Sequence, residues 1–381
     1  MTWTVTFNPT IDLTNPELLR SLARAQALAD VIRFIPLPPR TQEKFNRLNI
    51  LRAVVGTTCI EGAELSVSEV DAVVAAPEDQ PVLPPSRHNE EIEARNAYEV
   101  MRYIAQLVHD QPDITLSEEL IRELHRRMTR DIDDPHNKPG EYRTLAVRVG
   151  NYRPPPPEQV PVLMQQFVVW FNQEPQASWD RVVRAVVAHF YLVSIHPFAD
   201  GNGRTARALE SLILYQGGIN ARGFYSLANY YYRLRGDYFR LLDLARSTPA
   251  TDLTPLVLFA GRGLVEELEG VCQEVLAQVQ LIAFRDYARG LLARAKNLRA
   301  ANRSRLQRFL LGLLELQTHG QPQGVSLQQL RAGEGVLAAL YEDKSPATLT
   351  RDIKFLTHHR LVQVDQGMVR ANLELMSEFI S

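Results

Sequence analysis

The chain has 381 residues, enough for two or three domains, and its 45% hydrophobic and 23% charged residues exclude a disordered or coiled-coil protein. A net charge of −2 excludes a chain-wide positive field for nucleic acid or anionic membranes. The two cysteines, Cys59 and Cys272, exclude a disulfide scaffold and favour a reducing cytoplasm. With no signal-peptide pattern and no long apolar stretch, we expect no membrane role.

Apolar residues recur at helical spacing through most of the chain, which predicts a mainly α protein. The predicted helices are Pro16 to Ala29, Thr41 to Val54, His88 to His109, Ser117 to Thr129, Val160 to Phe171, Arg181 to Ile195 and Ala208 to Tyr215. Between Arg143 and Arg153 the pattern alternates and turns at Gly150-Asn151, which predicts a short β-hairpin inside the helical bundle.

The C-terminal part begins with the most basic stretch of the chain, from Arg285 to Arg308. From Ser304 onward the pattern predicts the element order of a winged helix. The predicted elements are a helix, a turn at Gly320 to Gly324, a short helix near Ser326 to Arg331, a capped helix from Ser345 to His359, and two short strands around Gln366-Gly367.

The helix from Ser345 resembles the recognition helix of winged-helix regulators, with Arg351 and Lys354 on one face. Asp343 and Asp352 lie close to those cations, so the surface is not strongly basic. A winged helix also serves as a docking surface for a target protein or for a second copy of the chain in a homodimer. We therefore favour protein contact over DNA contact.

The segment from His196 to Arg207 has the parts of a phosphate site. Gly201 and Gly203 can adopt backbone angles that let consecutive N–H groups converge on an anion at a helix N-terminus. Arg204 and Arg207 lie one turn apart and could clamp outer phosphates with their forked donors. Each feature alone is also typical of an ordinary helix connection, so their joint spacing carries the prediction.

Two more side chains of this segment suit phosphoryl chemistry. Asp200, just before the glycines, is an oxygen ligand of the kind that Mg²⁺ prefers. His196 can accept a proton near neutral pH, which makes it the candidate general base. The segment is not a Walker A loop, because it lacks Gly-x-x-x-x-Gly-Lys and does not follow a predicted strand.

These twelve residues resemble, position by position, the His-Pro-Phe-x-(Asp/Glu)-Gly-Asn-Gly-Arg-x-x-Arg signature of the Fic family. The similarity covers about residues 45 to 260. The run from Gly140 to Arg143 through Pro154 to Pro161 resembles the family's hairpin flap and its proline-rich exit, and Arg233 to Leu242 resembles its Arg-x-x-Tyr-Tyr helix. The resemblance implies a helical Fic bundle that transfers AMP from ATP to a Tyr, Ser or Thr hydroxyl of a protein, while pyrophosphate leaves.

Carried over residue by residue, the resemblance implies that His196 is catalytic and that Asp200 holds Mg²⁺ against the phosphates. It also implies that Tyr230 and Tyr231 stack on adenine, although their helical spacing is equally typical of packing residues. The implied ATP-binding residues of the motif are Gly201, Asn202, Gly203, Arg204, Thr205, Ala206 and Arg207.

The run from Thr57 to Gly62 matches the Ser/Thr-x-x-x-Glu-Gly/Asn motif of the family's inhibitory helix. The resemblance implies that Glu61 pairs with Arg207 and occupies the fork that the γ-phosphate needs. From the residues alone, the alternative is a helix C-terminus with a solvated Glu61 and Gly62 as its cap. The stretch Val147, Arg148 and Val149 would be the flap edge that aligns a target by strand addition, or else a surface hairpin without a partner.

The leading hypothesis is a self-inhibited protein adenylyltransferase. The resemblance leaves open whether the same protein also removes AMP from its target. The alternatives are a DNA-binding regulator whose Fic core senses nucleotide, and a Fic transferase with another donor. We expect four segments: an N-terminal helical region with the inhibitory motif (1–87), the Fic core (88–260), a helical connector (261–303) and the winged-helix domain (304–381).

Overall fold

The computed structural model describes residues 4–219, 226–248, 250–296, 298–318 and 323–379. The chain divides into two compact units, 1–272 and 273–381. Neither the boundary at 260 nor the one at 303 coincides with this division, and the four-segment organisation stays a prediction. In the part of the chain that is described, no helix is both long and apolar enough to span a bilayer.

The first unit is helical, which confirms the predicted mainly α class. Its helices, in chain order, are α1 (Pro16–Phe34), α2 (Pro39–Glu61), α3 (Val67–Ala75), α4 (His88–Asp110), α5 (Glu118–Thr129), α6 (Val160–Asn172), α7 (Arg181–Ile195), α8 (Asn202–Gln216), α9 (Leu227–Arg233), α10 (Arg235–Ser247) and the first part of α11 (Thr254–Arg294).

Helix α7 is the centre of this unit. It has the bounds that the sequence predicts, and every residue from Val182 to Ile195 is buried. A helix that is largely apolar on all its faces is stable only when other helices surround it. It packs most extensively against α8, which follows it in the chain. The loop between these two helices carries the phosphate-site residues.

Helix α8 begins at Asn202, six residues before the predicted start at Ala208. Gly201 precedes it with φ 72°, a left-handed conformation that glycine adopts without a steric penalty. The motif residues from Asn202 to Arg207 therefore form the first two turns of the helix rather than a loop before it. The N–H groups of this first turn have no partner within the helix.

Helix α2 brings the inhibitory motif to the same place. Gly56 lies against helix α9, where a Cβ atom would be 2.8 Å from backbone atoms of Ala228 and Asn229. This close approach requires glycine and fixes how α2 lies on α9. The helix ends at Glu61, and Gly62 caps it in a left-handed conformation with φ 117°.

The predicted hairpin is reduced to a tight turn. Val149 and Tyr152 exchange both backbone hydrogen bonds, of 3.0 and 2.9 Å, around Gly150-Asn151, as the sequence predicts. Val147 and Arg148, however, are not in a strand, which corrects the expectation of a strand over Val147 to Val149. The opposite arm continues into four prolines, at 154–157, and proline has no N–H to donate to a ladder.

The second unit contains a three-stranded antiparallel sheet with strand order β1-β3-β2. Its elements after α11 are α12 (Ala300–Thr318), β1 (Val325–Ser326), α13 (Leu327–Ala332), α14 (Pro346–His358), β2 (Val362–Asp365) and β3 (Met368–Ala371). The predicted helices and strands are present in the predicted order. The turn predicted at Gly320 to Gly324 lies in part outside the described residues, and the winged-helix assignment stays a prediction.

One arginine of the basic stretch has a structural role in this unit. Arg305 and Asp352 form a two-pronged pair, with Nε to Oδ2 at 2.7 Å and Nη2 to Oδ1 at 3.1 Å, and each side chain is only 8% exposed. The Tyr341 hydroxyl donates to the same carboxylate at 3.1 Å. The pair joins α12 to α14 across the core of the unit.

We expect Asp352→Ala to destabilise the second unit by about 3–5 kcal/mol, because it leaves a buried guanidinium without its anion. Hydrogen exchange of the full chain, followed by mass spectrometry, should show faster exchange in peptides from α14, β2 and β3 while α7 and α8 stay protected. Asp343→Ala, at an exposed position two residues before Ser345, is the control. Equal exchange in the two variants would contradict the structural role of the pair.

Candidate active site

The loop between α7 and α8 is closed by the side chain of Asn202. Its Oδ1 accepts a hydrogen bond from the Phe198 N–H at 2.9 Å, and its Nδ2 donates to the Phe198 carbonyl at 2.9 Å. The amide thus holds both backbone groups of one loop residue and fixes the path from His196 to Gly201. The sequence expectation assigned Asn202 to ATP, but here its side chain shapes the loop.

His196 ends α7 in a left-handed conformation with φ 53°, which is uncommon for residues other than glycine. Arg143 stabilises it, because its Nε donates to the His196 carbonyl at 2.7 Å and its backbone N–H donates to the Pro197 carbonyl at 2.9 Å. Backbone strain that neighbouring groups maintain is common at reactive sites.

The imidazole of His196 has one nitrogen engaged. Its Nδ1 lies 3.2 Å from the Val193 carbonyl, which can only accept a hydrogen bond, so Nδ1 carries the proton. Nε2 makes no hydrogen bond to the described residues and is the basic nitrogen. Burial lowers the pKa of His196 to about 4, and the cations of Arg143 and Arg246 act in the same direction. The ring is therefore a neutral base at physiological pH.

Glu61 lies at the start of α8. A Cβ atom at Gly203 would collide with its Oε1, so the carboxylate approaches the first helical turn where only glycine leaves room. A helix N-terminus attracts anions through its free N–H groups and the helix dipole. The structure thus brings Glu61 and Gly203, 142 residues apart in the sequence, to one anion-attracting position.

Arg207 is the cation of this position and is 3% exposed. Its Nη2 lies 2.6 Å from Glu61 Oε1 and 2.9 Å from the Thr57 carbonyl, and its Nε donates to Thr57 Oγ1 at 2.8 Å. Although burial raises it, the pKa of Glu61 is below its ordinary value because Arg207 pairs with it. Glu61 ends its helix as the alternative interpretation expects, but its charge is paired with Arg207 rather than only solvated.

Arg204 points to different partners from those of Arg207. Its guanidinium lies 2.7 Å from Glu93 Oε1 and 2.6 Å from Asp200 Oδ2, and its side chain is 2% exposed. Burial raises the pKa of Glu93, with the Asp200 charge acting in the same direction. Arg204 thus holds two carboxylates beside the loop, and its contact with phosphate stays a prediction. No sequence motif singles out Glu93, which lies on α4 and far from the phosphate-site motif in the chain.

Asp200 is the one predicted metal ligand, and its side chain is about half exposed. Among the described residues, no group of three or more His, Cys, Asp or Glu side chains could hold a metal ion. A site with a single protein carboxylate still fits Mg²⁺, which commonly binds one or two carboxylates and completes its shell with substrate phosphates and water. The residues present therefore fit a metal that enters with a phosphate ligand.

His125 is a loop-positioning residue that the sequence did not single out. Its Nε2 lies 3.0 Å from the Asp200 carbonyl, its Nδ1 accepts the Gly140 N–H at 2.9 Å, and its ring stacks on Phe198 at 3.6 Å. Burial lowers the pKa of His125 to about 4. This ring connects the motif loop to the segment that leads into the flap.

The remaining predicted ATP ligands are buried. Thr205 and Ala206 have no exposed surface, and the Thr205 hydroxyl donates to the Gly201 carbonyl at 2.8 Å. Tyr230 packs on Phe259, and Tyr231 stacks on Tyr238 with ring centroids 4.8 Å apart. The packing alternative thus describes both tyrosines in this structure. The predicted flap edge, Val147 to Val149, is at the surface.

We predict that the His196 imidazole titrates near pH 4 rather than near 6.5, because burial disfavours its charged form. Since the folded-state pKa lies below the unfolded value, the native protein loses stability as the pH falls from about 6.5 towards 4. An NMR titration of labelled histidines, with His196→Gln to assign the signal, measures this pKa directly. A midpoint near 6.5 would contradict the lowered pKa of His196.

Comparison with known proteins points to one family. Residues 115–214 match the model of the Fic/DOC family. A protein adenylyltransferase Fic of Drosophila virilis is 38% identical over 159 residues, which are 42% of this chain and 30% of that relative. A second, from Drosophila melanogaster, is 37% identical over the same length. The chain thus spans less than a third of the length of these relatives.

Solved structures share the fold. Fic-1 of C. elegans superposes with a TM-score of 0.58 at 26% identity, covering 70% of this chain and 75% of that chain. A Fic family protein of Desulfovibrio desulfuricans G20 superposes with a TM-score of 0.55 at 20% identity. The aligned region covers 96% of this chain and 93% of that protein's chain. Residues 115–214 of this chain therefore match the Fic/DOC family model, and the fold is similar to that of solved Fic structures.

Proposed function

We propose that this protein is a self-inhibited adenylyltransferase that transfers AMP from ATP to a hydroxyl side chain of a target protein. The observation that carries the proposal is the position of Glu61, whose carboxylate contacts Arg207 beside Gly203. An anion already occupies the place where the helix N-terminus and the buried cation would bind a phosphate. The names of the relatives support AMP as the transferred group.

In the proposed reaction, Nε2 of His196 accepts the proton of the target hydroxyl. The hydroxyl oxygen forms a bond to the α-phosphorus, the bond from that phosphorus to the bridging oxygen breaks, and pyrophosphate leaves with the electron pair. The Nδ1 hydrogen bond to the Val193 carbonyl keeps Nε2 free for this role. The low pKa keeps the ring unprotonated before the target arrives.

The chain's other residues position the phosphates. The free N–H groups of the first turn of α8, at Asn202 and Gly203, would stabilise charge that develops on the phosphoryl oxygens. Arg207 would hold the γ-phosphate end. Asp200 would hold Mg²⁺, which supplies charge neutralisation on the phosphates when it is bound. Asp200 is paired with Arg204, so both side chains are held in place before ATP binds.

Inhibition follows from competition for one cation. Arg207 is buried, so a negative partner must stay close to its guanidinium, and either Glu61 or a phosphate can serve. While Glu61 stays, a γ-phosphate cannot take the same donors, and ATP binds with its α-phosphate misplaced for attack. We include in this proposal that the same site also removes AMP from a modified target.

The target is proposed to bind along the flap. No ladder hydrogen bond among the described residues involves Val147 or Arg148, and Val149 is 37% exposed. An extended peptide could add its main chain to this segment, with the modified residue directed towards His196. The second unit, read as a winged helix, would supply a further protein-docking surface, and the protein would act in the cytoplasm.

We predict that Glu61→Gly raises AMP addition about ten- to a hundredfold, because hydrogen bonds between charged groups contribute about 1.5–3 kcal/mol. The measurement is the intact mass of the protein after incubation with ATP and Mg²⁺, followed by peptide mapping of the modified site. Glu64→Gly, on an exposed residue three positions further along, is the matched control. A Glu61→Gly protein as inactive as wild type would refute inhibition by this residue.

Adding His196→Ala to the Glu61→Gly protein should lower the rate by about 10²–10⁴, the usual contribution of a positioned general base. The rate of label transfer from α-³²P-ATP to protein measures this loss. ATP binding should persist in the double variant, since His196 contacts no proposed phosphate donor. Transfer at the rate of the Glu61→Gly parent would exclude His196 as the base.

A further inference from the structure

A chain of buried polar side chains leads towards Arg207 from the interior of the first unit. It runs from Glu210 on α8 through His189 on α7 to Tyr238 on α10, and Tyr231 on α9 joins it. None of these side chains is more than 2% exposed. Buried polar groups cost free energy unless each has its partners, so such a network in the centre of a bundle requires an explanation.

The contacts of the network are short. The Glu210 Oε1 lies 3.2 Å from His189 Nδ1 and accepts the Tyr231 hydroxyl at 2.8 Å. The His189 Nε2 lies 2.8 Å from the Tyr238 hydroxyl. That hydroxyl in turn interacts with the Arg207 guanidinium and helps to raise the pKa of Arg207. The network thus joins four helices, α7 to α10, and Glu210 lies one helical turn after Arg207 on α8.

One arrangement of protons satisfies every member. A carboxylate only accepts, so Glu210 accepts from the Nδ1–H of His189, which leaves Nε2 as an acceptor. The Tyr238 hydroxyl therefore donates to Nε2 and keeps its oxygen lone pairs for Arg207, whose guanidinium only donates. The direction of the hydrogen bonds runs from the arginine to the carboxylate without a conflict. Glu210 and His189 thus hold the Tyr238 oxygen as an acceptor aimed at Arg207.

The residues that hold Arg207, here called its anchors, belong to different helices. Glu61 and Thr57 both belong to α2, so a movement of this helix that releases Glu61 also removes the two Thr57 contacts. Tyr238 belongs to α10, and its supports belong to α7 and α8. It is the anchor that a shift of the inhibitory helix leaves in place. The network therefore still supports Arg207 after Glu61 has left it.

We propose that Tyr238 is a positioning residue that holds the Arg207 fork at the outer-phosphate position, with His189 and Glu210 fixing its hydroxyl. This inference rests on the proposed function, because it assumes that Arg207 exchanges Glu61 for a phosphate. Tyr238 touches neither the reacting atoms nor the ligand. Its effect is expected on the affinity for a nucleotide that reaches Arg207, and not on one that ends at the α-phosphate.

The test uses the full chain in the Glu61→Gly background and compares Tyr238→Phe with Tyr191→Phe. Tyr191 is the matched control, because it is an equally buried tyrosine whose hydroxyl donates to the Thr6 carbonyl, away from Arg207. Calorimetry gives the Kd for ATP and for AMP in each variant, and thermal melts confirm that each is folded. Tyr238→Phe should weaken ATP binding roughly 5- to 20-fold and leave AMP binding within about twofold. The control should change neither.

A second variant, His189→Phe, removes the acceptor of the Tyr238 hydroxyl while Tyr231 still pairs with Glu210. It should weaken ATP binding selectively, in the same direction as Tyr238→Phe. If ATP and AMP binding fall together, or if neither falls while the parent binds ATP, the positioning role is wrong and the proposed function stands. If the Glu61→Gly parent itself shows no ATP binding, the proposed function fails and this inference with it.

Discussion

The buried guanidinium of Arg207 is the constraint on which the site depends. It is almost fully enclosed, so its charge is tolerated only while an anion and several acceptors surround it. In the resting protein the anion is Glu61, at 2.6 Å, the hydrogen-bond acceptors are the hydroxyl and carbonyl oxygens of Thr57, and the Tyr238 hydroxyl adds an electrostatic interaction. Glu61 is 39% exposed and ends its helix, so it is the member of this set that can leave at least cost. Arg207 needs an anion, and the carboxylate that now supplies it can be displaced. A phosphate ligand that replaces Glu61 would therefore switch the site from its resting state.

A few local features of the fold place the groups that surround Arg207. Gly201 starts α8 in a left-handed conformation, and the Asn202 amide locks the loop before it, so the free N–H groups of α8 face the same place as Arg207. Gly56 lets α2 lie close to α9, and this position of α2 brings Glu61 beside Gly203 at the start of α8. Arg143 supports the strained backbone of His196, and the Val193 carbonyl fixes its tautomer. A base, an anion cradle and a blocking carboxylate are thus brought to one loop.

The features that could be predicted from the sequence are those that depend on residues close together in the chain. The bounds of α7 and the motif from His196 to Arg207 followed from local periodicity and spacing. The helix predicted over Thr41 to Val54 extends to Glu61, an end that the sequence offered only as the alternative interpretation of the inhibitory motif. The sequence could not show that Arg204 pairs with Glu93 or that His125 holds the loop, because these contacts join residues far apart in the chain. It also predicted a strand at Val147 and Arg148 from alternation alone, where the four prolines of the opposite arm leave no ladder to pair with. Periodicity does not distinguish a buried tyrosine from a ligand-stacking one, as Tyr231 shows.

A crystal structure of the Glu61→Gly protein with a non-hydrolysable ATP analogue tests most directly whether Glu61 and ATP compete for Arg207. We expect the γ-phosphate to lie within hydrogen-bond distance of the Arg207 guanidinium, where Glu61 Oε1 lies in the resting protein. We also expect the α-phosphate to lie at the start of α8, close to His196 Nε2. A triphosphate bound elsewhere, with Arg207 turned towards another protein anion, would contradict the claim that Glu61 and ATP compete for one cation.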